Sequence, residues 1–116
     1  MTDTAMASFV ESLIKDVPDL KSVYDEHISD NDELLGHVFM GDVTRFVENL
    51  YNENANSGSL TNILHLFDKA YSSNDECLQG LISVSFLENL SRGENSYEGI
   101  KNMLSVQLTE ELSRYE

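Results

Sequence analysis

The sequence is short of cysteine, proline, tryptophan and bases, and the shortages of cysteine and bases bound the protein most. Cys77 is the single cysteine, so no intramolecular disulfide can form; a stapled secreted scaffold is excluded and a reducing cytosol fits best. Long hydrophobic runs are also missing: no stretch approaches the roughly 20 apolar residues of a membrane-spanning helix. The opening "MTDTAMASFVESLIKDVPDL" has no basic first region, and Glu11, Lys15 and Asp16 cut it before an export-length apolar run forms, so a cytoplasmic location is expected. Bases are scarcest of all relative to their counterparts, 7 against 21 acids, which leaves a net charge of −14. A field of that sign repels nucleic acid and anionic membranes and speeds encounter with basic proteins.

What is present is enough for a folded domain. A chain of 116 residues with 41% apolar content can bury a core without metals or disulfides, and it is too apolar for a disordered acidic tail. A single compact domain over 1–116 is expected. Met6, Phe9, Val10, Leu13, Ile14 and Val17 follow the three-four spacing of a helical face and predict a helix over about 4–16. Pro18 suits the first turn of a second helix, in which Leu20, Val23, Tyr24, His27 and Ile28 resume the stripe to about Ser29. A third helix is predicted from about Glu33 to Tyr51, with Leu35, Val38, Phe39, Val43, Phe46, Val47 and Leu50 buried. "NENANSGS" at 52–59 reads as the longest exposed, flexible connection.

Leu60, Ile63, Leu64, Phe67, Ala70 and Tyr71 predict a fourth helix, and Ser73-Asn74-Asp75-Glu76 a capping box opening a fifth. That fifth segment, "CLQGLISVSFLENL", is apolar around most of the wheel, as a central helix would be, although "ISVSF" alternates like a strand. Ser83 and Ser85 inside it are expected to bond back to their own backbone carbonyls. After the turn "SRGENS", residues Ile100 to Tyr115 predict one last helix. The expected fold class is all-α, a single domain of about six helices arranged as a bundle or a short stack of helical hairpins.

The densest chemistry lies in "YDEHISDNDELLGHVFMGD" at 24–42. It opens like a calcium loop at Asp30 and Asp32, but the fifth, sixth and twelfth positions hold Leu34, Leu35 and Gly41, where an oxygen ligand, glycine and glutamate are needed. His27 and His37 are ten residues apart across a predicted helix break, so no paired-imidazole zinc motif forms. No metal and no cofactor is expected. His27 falls on an apolar stripe and reads as a partly buried structural group, while His37 and His65 fall on polar sides. Cys77 has no adjacent base, and no nucleophile elbow or phosphate loop occurs, so an enzyme is not expected. Asp42 and Arg45, at the edge of the third helix's buried face, are expected to form an internal ion pair whose loss through Asp42→Ala would destabilise the fold.

What remains is acidic density: Asp16, Asp19, Asp25, Glu26, Asp30, Asp32 and Glu33 stand against Lys21 alone, around a helix end and turn that could project carboxylates into a basic cleft. Together, "LKSVYDEHISDNDELLGHVFMGDVTRFV" at 20–47 and "LISVSFLENL" at 81–90 resemble a small, poorly characterised family of acidic helical bacterial proteins. The resemblance implies that Glu26, His27, His37, Asp42, Thr44 and Arg45 matter as a group, and it places a proline where this chain has Gly36. In general character the chain is also similar to immunity proteins of bacterial toxin systems. The reading that results is a binder of a basic partner, a cognate toxin domain of the nuclease type delivered by contact-dependent growth inhibition. The complex would be 1:1 and involve neither nucleic acid nor membrane. The alternative is a housekeeping interaction module of helical-array type.

Overall fold

In the computed structural model, which describes residues 4–116, the apolar stripes become seven α-helices. Residues 1–3, the start of the stretch read above for an export signal, lie outside the described residues. The helices are α1 (Thr4–Asp16), α2 (Leu20–Asn31), α3 (Gly36–Glu53), α4 (Gly58–Tyr71), α5 (Glu76–Ile82), α6 (Asn95–Met103) and α7 (Val106–Ser113). A π-helical turn, Ser83–Leu87, continues α5. Among the described residues there is no strand, and no helix is long and apolar enough to cross a membrane.

The core sits between α3 and the α5–π segment. Phe39, Met40, Val43 and Val47 recur at helical spacing on the inner face of α3 and are fully buried, opposite Leu81, Ile82, Phe86 and Leu87. Phe86 meets Phe67 of α4 edge-on at 4.6 Å between ring centroids, and Phe67 meets Phe9 of α1 at 6.1 Å. This aromatic chain ties three elements through one continuous contact, with each buried ring contributing about 1.5–3 kcal/mol of transfer free energy.

Helix boundaries depart from the sequence prediction where capping overrides the hydrophobic stripe. The second helix continues past Ser29 to Asn31 and ends at Asp32, whose left-handed backbone lets its N–H reach the Ile28 carbonyl at 2.7 Å. Helix α3 therefore starts at Gly36 rather than Glu33, and Leu35, predicted to be buried, is the extended residue before it and 38% exposed. Val38, also predicted to be buried, is 50% exposed. Gly36 is the first residue of α3, a place where proline is tolerated, but here a Cβ would stand 1.8 Å from Met6 Sδ, so Met6 would have to swing aside.

The connection predicted at 52–59 shrinks to 54–57, because Asn52 and Glu53 complete the last turn of α3 and α4 opens at Gly58 under the Ser57 cap. The stretch 88–94 before α6 is longer. The single last helix is two: Leu104 turns extended, and Ser105 accepts the Leu108 N–H at 3.3 Å to start α7.

Candidate functional site

Helix α3 has a sealed polar side and an open one. On the sealed side it meets the π turn. A π turn carries one extra residue, and here the Glu88 N–H reaches the Ser83 carbonyl five residues back at 3.0 Å. The insertion leaves Val84 half exposed and sends Ser83 and Ser85 to different neighbours, so neither side chain bonds back to its own helix as expected. Ser85 Oγ pairs with His37 Nδ1 of α3, and its carbonyl accepts the Thr44 hydroxyl at 3.0 Å and the Asn89 amide at 3.3 Å. Ser83 Oγ donates to Glu111 of α7 and lies 2.6 Å from the Tyr115 hydroxyl. Burial pushes the Glu111 carboxyl up, but hydrogen bonds from Ser83, Arg114 and Tyr71 outweigh it and hold the group below the usual carboxylate range.

The predicted Asp42–Arg45 pair does not form. Arg45 turns to Glu48, one turn further on, and also donates to Ser91 Oγ and to Asn89 Oδ1 at 2.9 Å. Glu48 is the buried charge of this helix, 7% exposed, and its second oxygen accepts the Ser91 N–H at 2.8 Å. The competition is physical: Glu48 lies beside two further donors of the 89–91 turn, whereas Asp42 is exposed. His27 is buried too. Its Nε2 accepts the Leu35 N–H at 3.0 Å, which fixes an unprotonated Nε2 and closes the α2–α3 turn, and Asn31 Nδ2 lies 3.2 Å from Nδ1.

On the open side, α2 and α3 border a groove of about 310 Å³. Val23, Glu26 and Asp30 line it from one face of α2, and Asp42, Arg45, Phe46 and Asn49 from one face of α3. Among the described residues, the Glu26, Asp30 and Asp42 carboxylates have no hydrogen bond or ion pair, and Arg45 is already engaged by Glu48. Half-buried Val23 and Phe46 give the groove an apolar floor that lowers the local dielectric. Carboxylates beside apolar side chains are the chemistry that suits a long cationic side chain, stem on the apolar part and head among the carboxylates. Among the described residues no three His, Cys, Asp or Glu side chains are grouped to hold a metal ion.

The seven acids read from sequence as a contact surface are all exposed, but they do not converge. Glu26 and Asp30 reach the groove. Asp16 and Asp19 flank the α1–α2 turn, Asp25 is paired with Lys21, and Asp32 and Glu33 occupy the α2–α3 turn. Asp42, assigned to internal structure, belongs to the groove, and Val23, Phe46 and Asn49 were missed as lining. Their signal was the shared spacing of 42, 46 and 49 on one helical face. His65 is exposed and lines a separate depression with Asp68 and Ser105.

The two stretches that carry the family resemblance fit together in space, with His37, Thr44 and Arg45 from the first gripping Ser85 and Asn89 of the second. No curated protein and no solved structure matches the chain. A family description, domain of unknown function (DUF7674), matches residues 10–116, and the chain belongs to that family.

Proposed function

We propose that the protein is a cytoplasmic immunity protein that binds and neutralises a basic toxin domain of the nuclease type, and that it does so without chemistry of its own. The observation that carries this reading is the groove between α2 and α3, where the Glu26, Asp30 and Asp42 carboxylates have no partner among the described residues and face solvent beside half-buried Val23 and Phe46. Unpaired carboxylates held together cost self-repulsion, which a cationic partner relieves on binding. The flanking acids Asp16, Asp19, Asp25, Asp32 and Glu33 extend the negative field and steer encounter. A basic toxin presents the lysines and arginines that otherwise receive phosphates, and the acidic groove stands in for those phosphates.

The second reading, a housekeeping interaction module, is favoured by a different observation. Leu35, just before α3, and Val38, in its first turn, are 38% and 50% exposed, an apolar patch that a partner of either charge could cover. Affinity capture from the native cell separates the two. The immunity reading predicts a basic protein bound 1:1, released by salt and inactive as a nuclease while bound. A neutral or acidic partner held through high salt would overturn it.

A further inference from the structure

The chain has one base for every three acids, yet its bases are not all paired. Lys21, Arg45, Lys101 and Arg114 each hold a carboxylate, and Arg92 lies over the Tyr97 ring. Among the described residues, the Lys15 and Lys69 ammonium groups have no ion pair, hydrogen bond or ring contact. Both line apolar grooves beside α1, on opposite sides of it.

The Lys69 groove is the more informative. It lies between α1 and the α4–α5 pair, has a volume of about 340 Å³, and is floored by Phe9, Leu66, Ala70 and Leu78. Its rim carries Ser8 and Ser12 of α1, one turn apart, Lys69 of α4 and Ser73 of the turn that follows α4. Among the described residues no carboxylate lines it, although the molecule is rich in them. The Ser8 and Ser12 hydroxyls make no hydrogen bond to the described residues, so two hydroxyl donors and one ammonium stand unused above an apolar floor.

We propose that this groove binds an amphiphile with one anionic head, a medium-length unbranched alkyl carboxylate. The alkyl chain lies on Phe9, Leu66, Ala70 and Leu78, and the carboxylate sits at the rim between Lys69 and the Ser8 and Ser12 hydroxyls. Charge complementarity selects the head, since among the described residues the one ionised group lining the groove, Lys69, is positive. Apolar area supplies most of the affinity, as in other small-molecule sites. The site lies on different helices from the acidic groove and is independent of the toxin reading.

The test titrates the full chain with decanoate below its micellar concentration and with decylammonium, which has the same tail and the opposite charge. Binding is followed by amide chemical shifts. A chain of net −14 favours the cation everywhere by default. The proposal predicts the reverse order, with decanoate tighter and saturable shifts at Phe9, Lys69 and Leu78. Lys69→Gln should weaken decanoate about fivefold to tenfold and leave decylammonium unchanged or tighter. Ser12→Trp, an exposed change that fills the groove, should abolish decanoate binding, with melting curves confirming that both variants fold. Decylammonium binding as tightly as decanoate, shifts mapping elsewhere, or an unchanged Lys69→Gln affinity would overturn the proposal.

Discussion

The two sides of α3 carry similar residue types and put them to opposite uses. Toward the π turn, His37, Thr44, Arg45 and Glu48 all have partners. Toward α2, Asp42 lines one groove with Glu26 and Asp30, and among the described residues none of the three carboxylates is paired. The contrast teaches that charge count alone does not locate function: the buried charge of α3 serves the fold, and the unbalanced charge is what a partner can use.

The largest effect should come from breaking the sealed side. Glu48→Ala removes a buried carboxylate and orphans the Ser91 N–H, and it should cost about 3 kcal/mol in a denaturant melt. A loss no greater than that of an ordinary surface substitution would show that the seam is not structural. Gly99→Ala comes next. A Cβ there would lie 1.8 Å from the Tyr51 hydroxyl, so α6 must back away from α3 or the ring must move, at about 1–3 kcal/mol. Thr44→Val keeps the shape and deletes the hydroxyl that serves the Met40 and Ser85 carbonyls, for about 1–2 kcal/mol.

Acid should act on the other anchor of the π turn. The Glu111 carboxyl is held below its usual range in the fold, so the stability it contributes is complete above the ordinary carboxylate pKa and is lost as pH falls through the folded value. Wild type should therefore lose more stability on acidification than Glu111→Gln, and parallel pH profiles for the two would contradict this. The smallest effect belongs to the open side. Asp42→Ala, expected from sequence to be costly, should shift stability by less than about 0.5 kcal/mol, because the Asp42 side chain has no partner among the described residues to strand.

The all-α class and the extent of α1 were legible because the three-four spacing of Phe9, Val10 and Leu13 has no competitor. Where local backbone chemistry competes with the stripe, the sequence misleads. Leu35 fits a helical face, but Asp32 in a left-handed turn ends α2 late and His27 takes the Leu35 N–H, so the residue lies before α3 instead of inside it. The break at Ser105 is a cap inside an apolar pattern, legible only if the hydroxyl is weighed above Leu104 and Leu108. The alternation of "ISVSF" was real information about burial. It reports a π turn rather than a strand, with Ser83 and Ser85 buried around exposed Val84. For the site, wheel position placed Asp42 and Arg45 within reach of each other, but spacing alone cannot rank Asp42 against Glu48 as partner to Arg45. Donors in the 89–91 turn, far along the chain, decide it.

The central claim is that the carboxylates of the α2–α3 groove are held unpaired for a cationic partner. It is tested most directly by calorimetric titration of the captured partner against wild type and the Glu26→Gln, Asp30→Asn, Asp42→Asn triple variant, at low and physiological salt, with a thermal melt of each. The account predicts an affinity loss of about a hundredfold or more, a shallower salt dependence, and a melting temperature equal to or above wild type. Equal affinity for the triple variant, or a melt showing that these carboxylates stabilise the fold, would contradict it.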